Sequence, residues 1–169
     1  MVATERERRI ARRFVDIWNQ HETPQYTLCD GPNPPDFFLD AANEKSWLEV
    51  TDIWMNEAQA KDENCPTEIW HGFVGDASDT AVRLICQLDR KLANPNYGRV
   101  VAERGKGMLL LTCQDWAFDT INLDRVDKLL STFTPSRDQH FFNIAYFEYR
   151  LADGRRVWGE VYPGKDLYV

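Results

Sequence analysis

Two carboxylates thirteen residues apart, Asp36 and Glu49, lie in the stretch NPPDFFLDAANEKSWLEVTDIW, residues 33–54. Glu49 interrupts a segment that is otherwise strand-like and apolar, with Trp47 and Leu48 before it and Val50, Ile53 and Trp54 after it. Side chains alternate along a strand. Trp47, Glu49, Thr51 and Ile53 therefore share one face, and Leu48, Val50, Asp52 and Trp54 the other. Neither face is cleanly polar, so Glu49 and Thr51 point together into a partly buried place. An ionised carboxylate there needs a cation, a metal ion or several donors. Asp36 follows Pro34-Pro35 at the mouth of the preceding strand. In a hairpin, the mouth of one strand can lie near the middle of its partner. Two acids converging this way are the minimum for a magnesium site, because Mg²⁺ favours one or two carboxylates with waters and phosphate oxygens. Such an ion lowers the pKa of a bound water and neutralises charge on a phosphodiester. The plainer readings are an Asp36 that orders the turn after Pro-Pro and a Glu49 that pairs with a structural arginine.

These residues need elements to position them. Residues 4–19 read as a helix: Thr4 and Glu7 fit a capping box, and Ile10, Phe14 and Trp18 recur at helical spacing. Residues 20–35 are loop-like, with a short strand at Tyr26–Cys29. Phe37–Leu39 and Trp47–Trp54 read as a hairpin joined by the polar turn Ala41–Lys45. Residues 55–78 are polar and irregular, and long loops in compact domains are often functional. Asp79–Ala93 reads as a second helix with Val82, Ile85, Leu88 and Leu92 as its apolar stripe, stopped by Asn94-Pro95-Asn96-Tyr97-Gly98. The run Met108–Cys113 is apolar without a break, as in a central strand covered on both faces. A third helix opens at Asn122 or Asp124 with Val126, Leu129, Leu130 and Phe133 inward. Phe141–Arg150 and Arg156–Tyr162 flank Asp153-Gly154, a hairpin turn signal. The order predicts a mixed α/β layer arrangement.

A chain of 169 residues suits one domain, and 43% apolar content marks it as globular. The opening residues carry no signal-peptide core, and no run approaches the roughly 18 apolar residues of a membrane span. A soluble cytoplasmic protein without membrane contact is expected. Cys29, Cys65, Cys86 and Cys113 show no CxxC spacing, and their positions with His21, His71 and His140 give no support to a zinc site. Cys86 and Cys113 read as small core residues. Trp47, Trp54, Trp70 and Trp116 read as core in preference to base-stacking platforms. The net charge of −7 argues against a globally basic nucleic-acid grip. Charge is uneven, however. Arg6, Arg8, Arg9, Arg12 and Arg13 crowd the N-terminus, as a local basic face or a solvated helix face, and residues 52–79 are acidic.

Pro35-Asp36, with Glu49-Val50-Thr51 on the next strand, resembles the PD-(D/E)XK nuclease superfamily, the restriction-endonuclease-like fold. The pattern there is Pro-Asp, a short gap, then acid-any-Lys. The order helix, hairpin, helix, strand over residues 4–113 is similar to that family's core. The stretch Leu84–Leu111 also resembles members whose second helix carries a basic residue followed by a Tyr loop and an apolar strand, here Arg90 or Lys91, Tyr97 and Met108–Leu111. The resemblance implies an α/β, three-layer restriction-endonuclease-like core of helix, antiparallel hairpin, helix and central strand, spanning 1–169 as one domain with a C-terminal helix and β-hairpin elaboration.

It also implies a function: divalent-metal-dependent hydrolysis of phosphodiester bonds, in DNA more than RNA. Asp36 and Glu49 would hold Mg²⁺ or Mn²⁺, with Glu7 joining from the first helix. Thr51 stands where the pattern has its lysine, which orients water or stabilises transition-state charge. Losing such a donor costs on the order of 3 kcal/mol. In some members that lysine has migrated to the second helix, which makes Lys91 the natural replacement and Arg90 a neighbouring contact to substrate. Glu7 is better explained by its capping box, and a lysine such as Lys91 is more often part of a solvated helix face. A nuclease of this size would act as a homodimer to cut both strands together. The alternative is a catalytically degenerate member that serves as a binding or interaction module.

Overall fold

Six strands pair in chain order into one mixed sheet. The computed structural model describes residues 3–53, 78–113, 123–136, 140–150 and 154–163. Helix α1 (Glu5–His21) begins with the capping box: the Glu7 amide donates to Thr4 Oγ1 at 3.2 Å, and the Thr4 amide donates to Glu7 Oε2 at 2.6 Å. Strands β1 (Thr27–Asp30), β2 (Phe37–Asp40) and β3 (Lys45–Ile53) follow as an antiparallel meander. Helix α2 (Ser78–Leu92) is followed by a 3₁₀ turn at Pro95–Tyr97 and a short helix α3 (Gly98–Arg104). Strand β4 (Gly107–Cys113) then pairs parallel to β3. Parallel neighbours need a crossover connection, and α2 and α3 lie in it. Helix α4 (Leu123–Thr132) leads to β5 (Phe142–Arg150), parallel to β4, and β6 (Arg156–Tyr162) closes as a hairpin on β5.

The sheet is covered on both faces. Leu48, Val50, Leu110, Tyr146 and Trp158 pack towards α1, against Ile10 and Phe14. Trp47, Ile53, Leu109, Leu111 and Phe147 pack on the other face, against Leu84, Leu88 and Leu92 of α2. Burial on both faces is why the Leu109-Leu110-Leu111 run needs no polar alternation. The stripe expected on α2 is buried at Val82, Ile85, Leu88 and Leu92. Trp47 and Cys86 are core residues, as expected.

The short strand expected within the loop-like 20–35 stretch is present as the four-residue edge strand β1, shifted by one residue. One feature departs from the expected elements. The Asn-Pro-Asn-Tyr-Gly stop does not open a loop. The Asn94 side chain accepts from the Asn96 amide at 3.0 Å and caps the 3₁₀ turn, and α3 runs on from it to Gly105, where φ is +76°. Gly154 also has positive φ, +85°, a conformation that glycine adopts without steric cost. Asp153, most of the polar stretch 55–78, His71, Cys65, Trp54, Trp70, Trp116 and the Cys113 side chain lie outside the described residues. Among the described residues no helix is long and apolar enough to cross a membrane.

Candidate active site

The turn before β2 delivers Asp36. The Gly31 amide donates to the Asp36 carbonyl at 2.8 Å, and the Asn33 amide donates to the Pro35 carbonyl at 2.9 Å. A Cβ at Gly31 would collide with the Pro35 carbonyl oxygen, so only glycine closes this turn without moving its backbone. β2 pairs with β3 in the register Phe37↔Leu48, which puts Asp36 beside Glu49. Two hydrogen bonds then link the strands through side chains. The Val50 amide donates to Asp36 Oδ2 at 2.9 Å, and the Asp36 amide donates to Glu49 Oε2 at 3.3 Å. Asn33 Nδ2 reaches Asp36 Oδ1 at 3.3 Å. Asp36 and Glu49 are only 4% and 6% exposed.

The other oxygen of Glu49 is taken from the helix side. Lys91 Nζ, in the last turn of α2, donates to Oε1 at 2.8 Å, and the Tyr97 hydroxyl donates to the same atom at 2.7 Å. Lys91 Nζ also donates to the Tyr97 oxygen at 3.1 Å, closing a triangle. Tyr97 is held by aromatic neighbours, with its ring 5.3 Å from Trp47 in a stacked arrangement and 5.0 Å edge-on to Phe142. Trp47 in turn donates from Nε1 to the Gly105 carbonyl at 2.8 Å and lies where any side chain at Gly107 would sit.

The electrostatics follow from two acids sharing one lysine. Burial, and then the Glu49 charge beside it, push the Asp36 carboxyl up to about 7. The Val50 amide and Lys91 pull the other way, and Glu7 adds to the rise. Burial, followed by Glu49, also raises the Tyr97 phenol above its ordinary value, which keeps it a neutral donor. With Asp36 ionised, two carboxylates face one ammonium and the cluster carries an excess negative charge.

Thr51 lies one alternation beyond Glu49 on the same face of β3. It is 7% exposed, and its buried hydroxyl has no hydrogen-bond partner among the described residues. Glu7 does not hydrogen-bond to the pair. Its carboxylate serves the capping box, although its charge is felt at Asp36. Arg90 Nη2 donates to Gln87 Oε1 at 2.7 Å on its own helix. The structure thus brings Asp36, Glu49 and Lys91 together and sets Thr51 beside them. Tyr97, named in the sequence only through the resemblance, stands at the end of the 3₁₀ turn six residues past Lys91, and its bond to Glu49 has no local sequence signature.

The donor set is oxygen only, which suits a hard cation such as Mg²⁺ or Mn²⁺. Asp36 Oδ1 and Glu49 Oε2 are the oxygens with weak partners, each in a single contact of 3.3 Å. Among the described residues no group of three or more His, Cys, Asp or Glu side chains could hold a metal ion. A cation at this pair would complete its shell with water and substrate oxygens, as Mg²⁺ commonly does.

A second buried carboxylate sits on the opposite face of the sheet. Glu148 of β5, 1% exposed, pairs with Arg13 of α1, accepts from Thr112 Oγ1 at 3.1 Å, and has Arg156 at 3.9 Å. Nearby, Arg6 Nε and Nη2 grip Asp52 at 3.0 and 2.6 Å. Arg8 pairs with Asp30. Three of the five N-terminal arginines therefore engage acids of the sheet. No protein-family model, curated protein or solved structure matches this chain.

Proposed function

We propose that the chain is a divalent-metal-dependent nuclease with a restriction-endonuclease-like core, hydrolysing phosphodiester bonds in DNA in preference to RNA. The observation that carries this reading is the meeting of Asp36 and Glu49, both buried, with Lys91 at 2.8 Å from Glu49. The order helix, antiparallel strands, helix, parallel strand supports the same reading. The preference for DNA rests on the resemblance of Pro35-Asp36 and Glu49-Val50-Thr51.

Asp36 and Glu49 would each lend one oxygen to Mg²⁺ or Mn²⁺. When bound, such an ion acidifies a coordinated water and offsets charge on the phosphodiester. Lys91 supplies the cation that Thr51 lacks. Its ammonium, anchored by Glu49 and Tyr97, stands beside the carboxylates where negative charge would build on the phosphoryl oxygens. The Thr51 hydroxyl offers a hydrogen bond to a water on the Glu49 face.

One observation favours the catalytically degenerate alternative: Lys91 and Tyr97 both donate to Glu49 Oε1, as partners of a structural acid would. The two readings part on Mn²⁺ calorimetry with Asp36→Ala and Glu49→Ala, followed by cleavage of single- and double-stranded DNA. Binding and cleavage lost together in both variants is the expected result. Metal binding with no cleavage would favour the binding module, and no binding by the wild type would sink the metal reading.

A further inference from the structure

We propose that Tyr97 sets which divalent ion the site accepts, by occupying one oxygen of Glu49 and so making that carboxylate a one-oxygen ligand. This rests on the metal reading above and adds a selectivity to it. Glu49 Oε1 accepts from both Tyr97 and Lys91, at 2.7 and 2.8 Å. An oxygen holding two such donors is a poor partner for a metal. Asp36 is restricted in the same way, because its Oδ2 is engaged by the Val50 amide at 2.9 Å. Each acid thus presents a single oxygen, Oε2 of Glu49 and Oδ1 of Asp36. The buried Thr51 hydroxyl without a partner, on the Glu49 face, is an independent sign that a polar ligand belongs here. The hydroxyl would offer a hydrogen bond to a water on that face.

Single oxygens with waters between them suit a small octahedral cation. Ca²⁺ takes six to eight oxygens and commonly grips a carboxylate by both. Closing Glu49 to two-oxygen chelation therefore disfavours Ca²⁺ against Mg²⁺ and Mn²⁺. Tyr97 is the pivot of this device. It is fixed between Trp47 and Phe142, whereas Lys91 is a long side chain that can follow a phosphate and leave Oε1.

The test is calorimetric titration of the full chain with Mn²⁺, Mg²⁺ and Ca²⁺, for wild type, Tyr97→Phe and Lys91→Met. Tyr97→Phe keeps the ring contacts and leaves Oε1 to the flexible Lys91 alone, which a chelating cation can displace, and is expected to narrow the preference for Mn²⁺ over Ca²⁺ by about tenfold. Lys91→Met removes a positive charge while Tyr97 still holds Oε1, so both ions should tighten together with their ratio kept within about threefold. A ratio unmoved by Tyr97→Phe, with Mn²⁺ binding still dependent on Asp36 and Glu49, would overturn the selectivity role and leave the metal reading standing. No divalent binding by the wild type would overturn both. Should Tyr97→Phe not fold, the Mg²⁺-induced infrared difference spectrum of the wild type, set against that of Glu49→Gln, isolates the Glu49 carboxylate splitting: one-oxygen binding is expected, and two-oxygen binding would refute the proposal.

Discussion

Glu49 and Glu148 are the same residue type, both buried in strands of one sheet, on opposite faces, and they are answered differently. Glu148 meets two arginines, Arg13 and Arg156, and the Thr112 hydroxyl, so cations outnumber the acid. Glu49 meets one lysine and one tyrosine, and a second carboxylate, Asp36, lies against it. Burial alone therefore does not mark a site. A buried acid matched by two guanidinium groups is held as architecture, because Glu148 without them would be a costly buried charge. A pair of acids sharing one ammonium is left with charge to give to something else.

The contrast is open to attack by substitution. The largest effect belongs to Arg13→Met, which strips Glu148 of its closest cation and should cost about 3 kcal/mol in chemical denaturation. Mn²⁺ binding should be unchanged in this variant, and a loss of metal affinity would mean that the two regions are not independent. Lys91→Met also leaves a buried acid without its cation and should cost stability, softened by the Tyr97 hydroxyl that stays on Glu49; on the nuclease reading, cleavage of duplex DNA by the folded variant falls about a hundredfold. Cleavage at the wild-type rate would remove Lys91 from the chemistry.

A smaller effect is written in pH. An unfolded aspartate titrates near 3.9, whereas Asp36 in the folded chain is pushed up to about 7 by burial and Glu49. Between these values the folded state holds a proton that the unfolded state has released. The stability this group contributes is full below about pH 4 and is lost as pH rises towards 7. Without metal, the protein should therefore lose on the order of 2 kcal/mol between pH 5 and pH 8, and Asp36→Asn should flatten that slope. An unchanged slope in the variant would show that Asp36 is ionised throughout. The smallest effect is at Thr51. Replacing its unpartnered hydroxyl by a methyl in Thr51→Val should stabilise the protein by about 1 kcal/mol and still slow cleavage. Stabilisation with full activity would reduce Thr51 to a packing residue.

The centre of the site was legible in the sequence because its logic is local. Strand alternation placed Glu49 on a buried face and Asp36 at the mouth of its partner strand, while Lys91 was singled out by the resemblance. The Glu148 cluster has no such local signal. Arg13 and Glu148 are 135 residues apart, and in sequence Glu148 reads as one more polar residue of a hairpin strand. Arg6 and Arg13 read as a solvated face, yet both turn inward to Asp52 and Glu148. Tyr97 was named through the resemblance, but its contact with Glu49 was hidden for another reason. A helix stop was visible at Asn94-Pro95, but not that Asn94 would cap a 3₁₀ turn whose last residue faces Glu49.

The hollow at Gly107 carries this chemistry into an unexpected part of the chain. Any side chain there would fall on the Trp47 ring, which backs Tyr97, which holds Glu49. In a saturation scan for activity, position 107 should therefore be as intolerant as a carboxylate, although glycine has no group that could react. Heredity would preserve the orientation of an acid by forbidding a methyl group on the neighbouring strand.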